Sequence, residues 1–388
     1  MNSRSDKALL PAGMQDGLPP FAAQEAKTAE LLISQFRGWG YARVKPPLME
    51  FEENLLYGTG QAVSGQAFRV QDPVSQRMLA LRPDMTLQVA RIARSRMSHS
   101  PRPLRLAYAG QVARVQSSQL RPERQFGQVG VELIGATGAS ADVEVILMTA
   151  EALQTAGVKD LSIDLGLPTL CRSVIGDLVL DEATKATLKT ALDRKDAATL
   201  KSMRDILGPP ISKTLTSMLS AIGPAKQAME KLNAIDLPQN AAQQRAHLNS
   251  VVDSILCARP DLTLTMDPIE SRGFEYHTGV TFAVFSRSVM GELGRGGRYE
   301  AGNQNTSEAA TGLTLFMDTV MQAVPDVQAT DTLFLPFGTS PDQAQRFRTE
   351  GWITVSGLEQ TNDTKQTARH LGCSHILDGD SVVKSDDN

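Results

Sequence analysis

The chain has 388 residues, with 41% hydrophobic and 21% charged side chains and a formal net charge of −4. That length exceeds one ordinary domain, and the composition is that of a globular protein with a sizeable core. A net negative chain argues against a broad basic surface for nucleic acid, which needs clustered Lys and Arg. Cys171, Cys257 and Cys373 lie far apart without a CxxC pair, so neither a disulfide framework nor a thiolate metal site is expected. His370 and His375 sit in a polar tail, and no metal is expected there. With no signal-like or membrane-length apolar run, the expected location is the cytoplasm.

Residues 8–20 hold Pro11, Gly13, Gly17, Pro19 and Pro20, which predicts an extended arm. Ala26, Ala29, Leu31, Leu32 and Phe36 then recur at helical spacing, and Gly38 and Gly40 should end that helix. A strand follows at 41–44. In 127–135, Val129, Val131 and Leu133 point one way, and Gln128, Gly130 and Glu132 the other. The polar face is not an ordinary solvated one, and Gly130 leaves room for something to lie on the sheet. A helix is predicted at 141–157 and a strand at 160–166. Residues 170–258, rich in Ala, Leu, Lys, Asp and Met, read as a helical insert. Strands return at 263–266 and 279–285, a glycine-dense stretch covers 291–302, and 310–323 runs from strand into helix. Residues 332–377 read as a βαβαβ unit before a polar end. No internal repeat is visible.

Four clusters could carry chemistry. In Arg82-Pro-Asp84-Met-Thr86 the three polar side chains share a side of an extended chain. Asp84 could hold an ammonium with help from Thr86, or either residue could cap the helix over 87–95. Arg114 ends an apolar strand, where it is either a site residue or a surface arginine. Ser271 to Gly279 packs Arg272, Glu275, Tyr276 and His277 between glycines. Gly294-Arg-Gly-Gly-Arg-Tyr299 lacks the P-loop lysine and the dinucleotide spacing, so alone it is a weak signal.

In this order the clusters resemble histidyl-tRNA synthetase, a class II aminoacyl-tRNA synthetase, over residues 8–325. Residues 105–135 resemble its second motif. Arg272-Gly-Phe-Glu-Tyr-His-Thr-Gly279 resembles the family's Arg-Gly-Leu-Asp-Tyr-Tyr-Thr-Gly, and Gly296-Gly-Arg-Tyr299 its next signature. The resemblance implies an α+β fold: an antiparallel sheet flanked by helices in a catalytic-type domain (1–325). That domain would carry the helical insert at about 170–260, followed by a small α/β unit (330–388) like a shortened anticodon-binding domain. It also implies a histidine pocket. Asp84 and Thr86 would hold the α-ammonium, and Arg114, Gln128 and Arg272 would lie near the α-carboxylate. Glu132 would accept from the imidazole, with Tyr276 and His277 beside it. Two carboxylates and two guanidiniums complement a zwitterion carrying a ring donor.

The departures point away from catalysis. The synthetase motif Phe-Arg-x-Glu reads Ala113-Arg-Val-Gln116 here, Pro122 stands where an ATP-phosphate arginine is expected, and Gly127 replaces a histidine beside the amino-acid site. Gly-x-Glu-Arg of the third motif reads Phe316-Met-Asp-Thr319, which removes the arginine that would stack on adenine. Amino-acid activation needs positioned cations, and losing one typically costs about 10²–10³ in rate. Such a protein would have no catalytic residues and need no cofactor. A dead adenylation site beside a retained histidine pocket resembles the regulatory subunits of ATP phosphoribosyltransferase. That resemblance implies a homodimer within a hetero-octamer with the short-form catalytic subunit, feedback by L-histidine, and no tRNA or membrane partner. The alternatives are an active histidyl-tRNA synthetase or another class II synthetase-like ligase.

Overall fold

The computed structural model describes residues 9–55, 64–117, 121–176, 178–270, 276–302, 307–326 and 331–385. Arg272, with the rest of 271–275, lies outside the described residues. The chain forms two compact units, Met1–Pro325 and Asp326–Asn388.

The first unit is built on β1 (Ala42–Arg43), β2 (Met49–Phe51), β3 (Arg69–Gln71), β4 (Met78–Leu81), β5 (Leu104–Ala113), β6 (Gln125–Ile134), β7 (Leu161–Gly166), β8 (Gly223–Pro224), β9 (Thr263–Asp267), β10 (His277–Ser286), β11 (Gly294–Ala301) and β12 (Glu308–Phe316). A nine-stranded sheet runs in the order β1-β5-β6-β12-β11-β10-β7-β9-β8, and β2-β4-β3 form a small separate sheet. The large sheet has the expected antiparallel centre, and β1 joins β5 and β7 joins β9 in parallel. Each parallel join follows a long connection through helices, which a hairpin cannot supply.

One face of the sheet is covered by the helices Phe21–Gly38 and Ala139–Thr155. The first buries Leu32, Ile33 and Phe36 and ends before Gly40, whose φ of +86° suits a residue without Cβ. Val129, Val131 and Leu133 of β6 meet this layer, as the alternation predicts. Apart from β8, the regular elements described between 169 and 258 are all helices. They form no separate body: Leu188, Leu200, Leu215, Leu232 and Leu248 share one continuous apolar core with Ile163, Leu165 and Val280 of the sheet.

A buried charge ties the same layers together. Asp142, 1% exposed, accepts from Arg298 of β11 (2.8 Å) and from the Thr311 hydroxyl of β12 (2.6 Å). His247 of the insert helix Gln239–Ala258 lies 2.7 Å from the same carboxylate. The opposite face of the sheet packs Tyr108, Phe126, Tyr299 and Phe316 beneath Met85, Val89 and Ala93 of the helix region Thr86–Ser95.

The second unit holds β13 (Thr332–Leu335), β14 (Ile353–Ser356), β15 (His375–Asp378) and β16 (Ser381–Lys384), ordered β14-β13-β15-β16. The predicted βαβαβ order is present. β16, which the sequence reading leaves unassigned, pairs antiparallel with β15. Only Val382 and Val383 signal it, and two apolar residues are too few to establish a period.

Candidate functional site

Strand alternation gathers the site. In β6 both faces are buried, so Gln128 and Glu132, each 0% exposed, occupy an interior polar face. Register places Gly312 of β12 beside Glu132, Thr314 beside Gly130 and Phe316 beside Gln128, all with side chains on that face. Tyr108 of β5 lies opposite Gly130, and Tyr299 of β11 opposite Ala310.

At one end stands Glu132. Its carboxylate accepts from the Tyr299 hydroxyl (2.8 Å) and the Tyr108 hydroxyl (3.3 Å). Tyr108 also meets the hydroxyls of Thr314 (2.8 Å) and Thr86 (3.2 Å). Burial pushes the Glu132 pKa up to about 8, against the opposing hydrogen bonds of Tyr299, Thr86 and Tyr108 and with a further upward push from Asp84. Burial likewise raises Tyr108 and Tyr299, so both remain donors. The Glu132 carboxylate lies over Gly312, where any Cβ would collide with it.

At the other end the Gln128 amide is clamped twice. Its Nε2 donates to Asp84 (3.0 Å), and its Oε1 accepts from the Met85 backbone N–H (3.1 Å). Asp84 also accepts from the Thr86 backbone N–H at the helix start (2.8 Å). The N-cap position itself is Met85, which makes no side-chain cap hydrogen bond, so neither Asp84 nor Thr86 is the capping residue the sequence offered; Asp84 precedes the cap and meets the first helical N–H. Arg114 donates to the Pro83 carbonyl (3.1 Å), lies 4.0 Å from Asp84 and faces the Phe126 ring at 5.1 Å. Burial lowers its pKa while Asp84 supports its charge.

Thr86, Glu132, Tyr276, His277, Arg295 and Tyr299 line a small pocket floored by Gly296, Gly297 and Gly312. His277 is 3% exposed, with its ring 4.1 Å from that of Tyr276. The structure thus places Thr86, Glu132, Tyr276 and His277 on this pocket and gathers Asp84, Arg114 and Gln128 in an adjoining cluster, joined to it by the Thr86–Asp84 hydrogen bond; Arg272 is outside the described residues.

Three sequence readings are corrected. Arg82 does not join Asp84: it is buried and donates to the carbonyls of Gln111 (2.8 Å) and Pro46 (3.0 Å), in space left by Gly110. The room over Gly130 is filled by the Tyr108 ring and hydroxyl, not left for a ligand. Gly127 does not border the pocket. It faces Glu25 of the N-terminal helix and Met317, which a Cβ would meet at 2.7 and 3.1 Å.

Tyr108, Thr314 and Arg295 were missed as site residues, and Tyr299 was quoted only as part of a motif. The signal for Tyr108 and Thr314 is cross-strand register with Gly130, which a single strand cannot report. The positions that depart from the synthetase motifs are spread out. Gln116 is exposed, Pro122 adjoins Gly13 of the N-terminal arm, and Thr319 is buried.

Fold and site together define a protein of the histidyl-tRNA synthetase type, and the histidyl-tRNA synthetase family model matches residues 13–320. Among curated relatives, the ATP phosphoribosyltransferase regulatory subunit of Paramagnetospirillum magneticum is 51% identical over 384 residues, spanning 99% of this chain and 100% of its own length. That of Rhodospirillum centenum is 50% identical, spanning 98% and 97%. A solved ATP phosphoribosyltransferase regulatory subunit/histidyl-tRNA synthetase from Bacillus halodurans C superposes with a TM-score of 0.81 at 25% identity, covering 94% of this chain and 96% of that one. The chain belongs to the ATP phosphoribosyltransferase regulatory subunit family.

Proposed function

We propose that this chain is a non-catalytic regulatory subunit that activates the short-form catalytic subunit of ATP phosphoribosyltransferase and senses L-histidine. The setting is the first step of histidine biosynthesis, in the cytoplasm. The observation that carries the sensing role is a pair of polar groups on one face of β6: Glu132 ringed by hydroxyls, and Asp84 locked to Gln128 beside Arg114. Glu132 takes the imidazole N–H. Asp84 and Thr86 take the ammonium. Arg114 and Gln128, with Arg272, receive the carboxylate, and Tyr276 and His277 close the ring side.

In this reading residues 1–325 are the synthetase-type body and 330–388 an anticodon-domain-like unit. The chain forms a homodimer inside a hetero-octamer. Its adenylation activity is lost, because Gln116, Pro122 and Thr319 replace groups that the synthetase motifs supply for ATP. No helix among the described residues is long and apolar enough to cross a membrane.

Co-expression with the short catalytic subunit tests the proposal. Transferase activity should appear only in the complex and fall on adding histidine. Replacing Glu132 with Gln should weaken that inhibition, and a complex whose inhibition is unchanged by this variant would place the sensor elsewhere. Histidine-dependent ATP–pyrophosphate exchange by the chain alone would instead establish a synthetase.

A further inference from the structure

The polar face of β6 and β12 runs into an aromatic group. Along β12 the residues on the ligand face are Gly312, Thr314 and then Phe316, which sits opposite Gln128. The Phe316 ring is 4% exposed and packs edge-on against Phe126, with centroids 6.1 Å apart at 77°. The Arg121 guanidinium covers it 3.7 Å from the ring centre, and its Nε donates to Asp318 at 2.9 Å. Both members of that pair are shielded, with side chains 17% and 9% exposed. A cation stacked on a ring and paired to a carboxylate away from water is held more firmly than a surface pair. Arg121 also approaches Phe126 to 5.2 Å, and Arg114 approaches the same ring to 5.1 Å. The Phe316–Arg121–Asp318 group and Arg114 therefore flank the same Phe126 ring.

We propose that Phe316, braced by Arg121 and Asp318, is an end wall that admits a free amino acid and shuts out ligands extended at the carboxyl group. This rests on the histidine reading, which directs the ligand carboxylate toward Arg114. A substituent on that carboxyl must pass where the Phe316 ring and its guanidinium cover lie. Selectivity is then set by a steric obstacle, not by a weaker attraction.

Calorimetric titration of the full chain with L-histidine and with the dipeptide L-histidyl-glycine tests the wall. The dipeptide keeps the imidazole and ammonium but turns the α-carboxylate into an uncharged amide as well as extending it, so L-histidinamide, which makes the first change alone, is titrated as the reference. The wild type should bind L-histidinamide at least about a hundredfold more tightly than the dipeptide, and Phe316→Ala and Arg121→Ala should each cut that ratio about tenfold or more. Arg121 is partly exposed at its outer edge, so Arg121→Ala keeps the test open should Phe316→Ala not fold. A wild type that takes L-histidinamide and the dipeptide equally, or discrimination between them that survives in the folded variants, overturns the wall alone. A wild type that binds no histidine overturns the histidine reading and the wall with it.

Discussion

Glu132 is a buried carboxyl group surrounded by hydroxyls, and its chemistry follows from that setting. Burial moves its ordinary value of 4.5 to about 8, so the group carries a proton at neutral pH. The sign for stability follows: the protonated form is favoured by folding, so the contribution is fully present below pH 4.5 and is lost as pH rises through about 8. Thermal melts of the unliganded protein should therefore fall in Tm across that window, and Glu132→Gln should flatten the decline. An unchanged slope in the variant would move the titration to another group. Glu132 and Gln128 were legible in the sequence because a strand with two buried faces still alternates. Arg82 and Gly127 were not, because their roles depend on neighbours from distant segments: Gln111 and Pro46 for one, Glu25 and Met317 for the other.

The element that makes the site possible is β12, and its contribution is an absence of side chains. Gly312 lies under the Glu132 carboxylate, so Gly312→Ala should displace that group and cost about 1–3 kcal/mol, read by urea denaturation together with weaker histidine binding. On the opposite face, β11 and β12 present Arg298 and Thr311 to Asp142. Arg298→Met leaves a buried carboxylate without its guanidinium and should cost about 3–5 kcal/mol. His247→Ala should cost less, since that side chain is 28% exposed. Alternate residues of the glycine-dense stretch thus serve two purposes, Tyr299 for the pocket and Arg298 for the anchor. Composition shows the glycines; only pairing with β12 shows which residue faces which way. The two parallel joins were not legible, since parallel or antiparallel pairing is decided by the route of the chain between strands and not by the strands' own residues.

At the scale of the molecule, the two units have separate apolar cores: one spans sheet, flanking helices and insert, and another lies around Leu333, Leu335, Phe347 and Leu377. Histidine bound to the first unit should stabilise it by mass action, about 2.7 kcal/mol at a hundredfold excess over Kd, and leave the second unit's melting unchanged. Differential scanning calorimetry with and without histidine reads both. The helical insert was recognisable by composition, and its fusion with the sheet was not, because the leucines that join them look the same as leucines that pack an independent bundle. The fusion has a consequence for how the protein breathes. His247 reaches from the insert to the Asp142 carboxylate that Arg298 also holds, so peeling the insert away would expose shared core and remove one partner of a buried charge. The insert cannot fray as a lid of its own. In native-state hydrogen exchange its central amides should open with those of β7 and β9 in a single cooperative event, close to global unfolding.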